Sequence, residues 1–163
     1  MNNQAMIISK VKHIYIMLLH SISKENISIV DHYLDDSLTQ TIKKNIENNI
    51  KNNVKQVYRL PNISNLSIIQ EDNEHITFNS TVKYIKYLVD RKTNKYVSGD
   101  NKNRVTKIAI LKFRKNNLNS KILFNCPSCG AGLNINKTSI CPYCDASLDE
   151  RYSPYVLCSI TYK

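Results

Sequence analysis

Near the start of the chain, Ile7, Ile8, Val11, Tyr15, Leu18, Leu19 and Ile22 line one face of a helix and leave Lys10, His13 and His20 on the others. A second helix is expected over Ile27 to Leu34. Ser37 then offers an N-cap, followed by Leu38, Ile42, Ile46, Ile50 and Val54 at a constant spacing of four. That spacing drifts about 40° per step on a helix of 3.6 residues per turn, so the stripe winds and the helix packs obliquely. Pro61 closes the helical region. Beyond it the period changes. Leu66 to Ile69, a polar turn at Glu71-Asp72-Asn73, and a run from His75 to Val89 rich in Thr, Val, Ile and Tyr read as strands. Inside the long run the apolar phase slips from Ile76, Phe78, Val82 and Tyr84 to Ile85, Tyr87 and Val89, which means a bulge or a strand apolar on both faces. Arg91 to Asn103, with Gly99-Asp100, is expected as a hairpin loop, Arg104 to Phe113 as the next strand, and Tyr155 to Tyr162 as the last. Helices first and antiparallel strands after is an α+β order.

A chain of 163 residues supports one sound core with a small module beside it. The longest apolar run near the start, Ile14 to Leu19, falls well short of the ~20 residues that span a bilayer, and no cleavage site follows it. The expectation is a cytoplasmic protein with no signal peptide and no transmembrane anchor. The net charge of +10 is concentrated: Lys83 to Lys115 holds eleven basic residues against Asp90 and Asp100, a net of +9. The heavy use of Asn, Ile and Lys along the whole chain lowers the weight of any single Asn or Lys cluster.

The most definite chemistry is Cys126-Pro127-Ser128-Cys129-Gly130 followed by Cys141-Pro142-Tyr143-Cys144. Four thiolates at that spacing close a tetrahedron around one structural Zn2+, at about 2.3 Å per Zn–S bond, and leave no open position for catalysis. Free thiols, disulfides or a rubredoxin-like iron site are the alternatives. Gly130 stands where a left-handed residue is wanted, and Asp145, in the same place after the second pair, tolerates that conformation. From Asn125 onward basic and acidic residues balance, and bound zinc would take the segment to about −2, so the ribbon is poorly suited to phosphate contact. Tyr143 either stacks on a base or packs over its knuckle. Cys158, in an apolar run, reads as a buried small hydrophobe.

The basic segment is the other candidate site: Lys83, Lys86, Arg91, Lys92, Lys95, Lys102, Arg104 and Lys107. Tyr84, Tyr87 and Tyr96 interleave with these cations, as on surfaces that bind single-stranded nucleic acid; an acidic protein or an anionic lipid surface fits the same charge. A solvated sheet face is the plain alternative. His13, His20, His32, His75, Asp31, Asp35 and Asp36 fall at no catalytic spacing, and three glycines in the chain offer no phosphate-cradling loop, so no enzyme is expected.

The order of these pieces, with Tyr84-Ile85-Lys86-Tyr87-Leu88-Val89-Asp90, then Lys92 to Asp100, then Cys-Pro-x-Cys-Gly-Ala, Cys-x-x-Cys and a last strand, resembles the bacterial proteins similar to the C-terminal domain of the mitochondrial import-motor anchor, the forty-four-kilodalton Tim subunit. The resemblance implies a cystatin-like or nuclear-transport-factor-like cone, with helices packed on a curved antiparallel sheet. The zinc ribbon (125–150) would be inserted before the last strand, and 1–124 plus 151–163 would form the cone. It also implies a scaffold role or association with anionic lipid; bacterial relatives often carry a membrane-anchoring segment ahead of the domain, and none is read here. Together these readings lead to the expectation of a non-enzymatic interaction protein that docks an acidic partner through its basic sheet face. The alternatives are a nucleic-acid-binding accessory protein and a peripheral lipid binder.

Overall fold

The computed structural model describes residues 3–115, 123–125, 129–134, 143–145 and 155–163. Helix α1 (Asn3–Lys24) buries Val11, Ile14, Tyr15, Leu18 and Leu19, the face its apolar spacing marks out. It ends with Glu25 at φ 54, where Glu25 N–H donates to Ile22 and Asn26 N–H to Ser21, a Schellman closure built without glycine. By length and composition, Gln4–Lys24 is apolar enough to cross a bilayer (mean hydropathy 1.3). A search for unbroken apolar runs passes over this, because Lys10, Lys12 and His13 interrupt the stretch. Here the helix lies over the sheet, with its buried face in the core.

The α-helix expected over Ile27 to Leu34 is instead two 3-10 turns, Ile27–Ile29 and Asp31–Tyr33, closed by Val30 N–H to Ile27 and Leu34 N–H to Asp31. Single turns suffice to drop Val30, Tyr33 and Leu34 into the core. Helix α2 (Asp36–Lys51) is capped by Asp35, not Ser37: Asp35 Oδ1 accepts from Leu38 N–H at 2.8 Å. The four-residue stripe behaves as its drift requires, with Ile42 and Ile46 buried and Ile50 rotated out to 50% exposure. Asn53 (φ 58) turns the chain, so Val54 opens a strand and does not extend the helix.

Four strands form one antiparallel sheet in the order β1-β2-β3-β6: β1 (Val54–Glu71), β2 (His75–Asp90), β3 (Tyr96–Lys115) and β6 (Tyr155–Tyr162). β1 is longer than expected and contains Pro61, tolerated because β1 is an edge strand. Ile63 of β1, Ile76, Phe78, Val82 and Tyr84 of β2, Ala109, Leu111 and Phe113 of β3 and Leu157 of β6 meet the helices, and Phe78 and Phe113 pack edge to face at 5.9 Å. In the sequence between β3 and β6, β4 (Leu123–Asn125) pairs with β5 (Gly132–Asn134) as a separate two-stranded sheet.

Curvature comes from unequal strand lengths. Against β2, β1 gains one residue at each of three register shifts, at 59–62, 64–67 and 68–70, with Leu60 (φ 50) and Asn65 (φ 54) in the left-handed region at the first two. On the other side, between Tyr84↔Val105 and Lys86↔Asp100, β2 advances two residues while β3 advances five. The phase slip in the sequence falls on this line, where adjacent Tyr84 and Ile85 are both buried. The bulge in β3 also corrects the expected long hairpin loop: the turn is confined to Arg91–Lys95, and Gly99-Asp100 lies within β3. Gly99 has φ 95, and a Cβ there would meet Lys86 O and Tyr87 Cα at 2.8 Å, which is why glycine is needed at the bulge.

Candidate interaction arm and metal knuckles

From Lys92 to Ile108 every residue except Asn101 is exposed, so the far half of the β2–β3 hairpin stands clear of the helices as an arm. β6 pairs only with Ala109–Lys115, leaving the arm's β3 side at the sheet edge. The eight cations singled out in the sequence do not act alike. Arg91 is turned inward: its Nη1 and Nη2 donate to Glu25 Oε1 and Oε2, both at 2.6 Å, and Nη2 also reaches Val54 O at 2.9 Å. This pair ties the end of α1 to the start of β1 and the β2–β3 turn. Arg104 is a stitch across the bend, donating from Nε (3.1 Å) and Nη2 (2.6 Å) to the Leu60 carbonyl in the facing bulge of β1.

Six lysines remain: Lys83, Lys86, Lys92, Lys95, Lys102 and Lys107. Among the described residues none has a carboxylate within ion-pair distance; the pairs present are Asp31–His32, Glu25–Arg91 and Glu71–Lys115. The arm's two carboxylates are held locally. Asp90 Oδ1 accepts from Lys92 and Thr93 N–H, and Asp100 Oδ1 from Lys102 and Asn103 N–H. Backbone N–H groups hold both below the usual carboxylate range, Thr93 foremost for Asp90 and Asn103 for Asp100. Each stays ionised and anchored at its turn. Exposed Tyr96, Val97 and Val105 give the arm apolar contact area beside its cations.

The expected interleaving of three tyrosines is reduced to one. Tyr84 is buried in the core with Phe78 and Val82, and Tyr87 is half-buried; Tyr96 is 51% exposed, its hydroxyl donating to Gly99 O. A different tyrosine set assembles from distant strands. Tyr58 and Tyr162 each pack edge-on to Tyr84, at 5.3 and 6.4 Å, and the Tyr15 and Tyr162 hydroxyls meet at 3.2 Å. Lys86 and Lys107 lie 5.8 Å from the Tyr58 and Tyr162 rings. Burial pushes the Tyr15 and Tyr58 hydroxyls well above the ordinary tyrosine value. Local spacing could not reveal this cluster, because β1 and β6 supply half of it.

His32 Nδ1 lies 3.8 Å from Asp31 Oδ1, beyond hydrogen-bond reach, in an open hollow of about 250 Å3 shared with Asp36, Thr39, Gln40 and Lys43. The two residues are adjacent in sequence and in contact with solvent, with side-chain exposures of 31% and 45%.

Of the four paired cysteines, Cys129 and Cys144 are described and exposed, while Cys126 and Cys141 lie outside the described residues. The surrounding backbone suits a metal knuckle. β4 pairs with β5 through Asn125↔Gly132, the residues that flank the first cysteine pair in the sequence. Gly130 (φ 78) and Asp145 (φ 61), each one residue past the second cysteine of its pair, are both left-handed. These are the two positions where the sequence predicts that conformation. Tyr143 in the second knuckle is 72% exposed. No group of three or more metal-binding side chains occurs among the described residues, a set that holds only two of the four thiols. Cys158 Sγ donates to Val156 O, and burial pushes its thiol up, as befits a half-buried structural cysteine.

Helices packed on a bent antiparallel sheet, with an exposed lysine-rich arm, define a domain of α+β build. A model of the Tim44-like domain matches residues 3–122, and the chain belongs to that family. The match spans α1 through β3 and so includes the arm. The family assignment supports a role in protein interaction or scaffolding in general terms. No curated protein matches the chain.

Proposed function

We propose that this protein is a non-enzymatic cytoplasmic scaffold whose β2–β3 arm docks an acidic protein and whose ribbon is clipped by one structural zinc ion. One observation carries the docking reading: six lysines gather on and beside an exposed arm whose carboxylates, Asp90 and Asp100, are held by neighbouring N–H groups and, for Asp90, by the Asn53 amide. Such a surface attracts an acidic partner over a Debye length of about 8 Å at physiological salt and lets it displace water without breaking internal ion pairs. Its test is charge reversal. Lys92→Glu, Lys95→Glu and Lys102→Glu together should abolish capture of acidic protein from source-cell extract while leaving the circular dichroism spectrum unchanged. Undiminished capture by the reversed arm contradicts the reading. Retention of single-stranded oligonucleotide with a steep salt dependence, and no protein, would replace it with the nucleic-acid alternative.

The zinc would be held by Cys126, Cys129, Cys141 and Cys144, supplying folding energy to a segment too small for a core of its own. The left-handed Gly130 and Asp145 and the β4–β5 pairing support this, and thiolate ligation fits the reducing cytoplasm. Mass spectrometry under native conditions should find one zinc per chain, removed by chelators with loss of ribbon signals before sheet signals. A metal-free chain with an intact ribbon contradicts it.

A further inference from the structure

Beside the arm, where α1 ends over the sheet, lies a groove of about 280 Å3 lined by Ile22, Ile42, Asn45, Ile46, Asn48, Asn49, Gln56, Tyr58 and Lys86. Its floor is apolar, formed by Ile22, Ile42, Ile46 and the Tyr58 ring, and its rim is almost entirely amide. Asn45, Asn48 and Asn49 stand at i, i+3 and i+4 on α2, so they share one face of the helix. None of their side chains makes a hydrogen bond among the described residues. Gln56 Nε2 donates to Tyr87 O (3.0 Å) and Val57 O (3.3 Å), which leaves its Oε1 as an open acceptor. The lining holds one cation, Lys86, and no carboxylate.

These features select among ligands. The volume falls below the ~300–1,000 Å3 that encloses a drug-sized molecule, and the groove is open along one side. A phosphate would find a single cation among groups that are half acceptor. A helix presents no free backbone groups for side-chain amides to read, since its own ladder satisfies them. An extended peptide presents both N–H and C=O, the match for a row of carboxamides. We infer that the groove takes an extended acidic segment of the partner, with one aliphatic side chain on the Ile22–Ile42–Ile46–Tyr58 floor, backbone groups on Asn45, Asn49 and Gln56, and a carboxylate on Lys86. The inference rests on the acidic-partner reading and adds a second contact to it, since Lys86 belongs to both surfaces.

The probe is a short acetylated and amidated peptide in which leucine and aspartate alternate, titrated into the full chain and followed by NMR. The expected result is saturable shifts at the Asn45, Asn48, Asn49 and Gln56 side-chain amides. Asn45→Ala with Asn49→Ala should weaken binding about tenfold through loss of two neutral hydrogen bonds. Lys86→Glu should erase the preference over a peptide with asparagine in place of aspartate. Unshifted backbone spectra elsewhere verify that each variant is folded. Shifts confined to Lys92, Lys95 and Lys102 would overturn the groove while leaving the arm standing, and shifts nowhere would remove both. Groove signals that respond to phosphatidylglycerol vesicles and not to the peptide would also overturn the inference.

Discussion

Arg91 illustrates how little a charge says about its use. In the sequence it is one of eleven cations between Lys83 and Lys115; in the fold it pairs with the partly buried carboxylate of Glu25. Glu25 sits at the negative end of α1 and in a left-handed conformation, two costs that the bidentate guanidinium offsets. Its side chain is only 13% exposed, so Arg91→Ala strands a desolvated charge and should cost about 2–3 kcal/mol in urea unfolding, with Glu25→Ala in the same chain restoring part of the loss. Asp72, Asp90 and Asp100 act differently, as exposed carboxylates each bound by turn N–H groups. All three lie below the ordinary Asp value of about 3.9, so their contribution is complete above that pH and is lost as pH falls through the lowered values. Stability should fall less steeply below about pH 4 when all three are changed to Asn; equal slopes in urea midpoint against pH would contradict this. Neither role is visible in the one-dimensional pattern. The turn at Asp72 can be read from Glu71-Asp72-Asn73, but the partners of Arg91 and Arg104 lie sixty-six and forty-four residues away.

Elements were legible where one rule decides them. The apolar face of α1 and the first half of β2 follow from periodicity, because burial on one side imposes a spacing of 3.6 or 2, and β6 follows from its apolar run. The misplaced boundaries have a shared cause: bulges and left-handed residues break the period without ending the strand. Leu60-Pro61 interrupts β1 and looks like a terminus, and Gly99-Asp100 interrupts β3 and looks like a hairpin tip. Together they mark the bend, with Arg104 joining the two bulges across β2. Gly99→Ala should therefore destabilise the sheet by more than about 1 kcal/mol and shift the amide signals of Lys86 and Tyr87, its close neighbours, while the signals of β6 stay in place.

At the scale of the molecule, the bend and the helices divide the sheet into a covered half that holds the core and an uncovered half that holds the charge. Helices α1 and α2 take up the apolar face as far as Tyr84; beyond the bulge, β2 and β3 run on with Tyr96, Val97, Lys86, Lys92, Lys95 and Lys102. The charge can be read along the sequence but the groove next to it cannot, since that surface draws residues from α1, α2, β1 and β2. The most direct measurement is site-specific photocrosslinking in source cells, with the reactive side chain placed at Lys95 or Lys102 on the arm and, for comparison, at Glu47 on the exposed face of α2. The account predicts that one acidic protein is captured from both arm positions and not from Glu47, which points away from the groove-lining face of α2. Capture from Glu47 alone, or capture of nucleic acid from the arm, would contradict it.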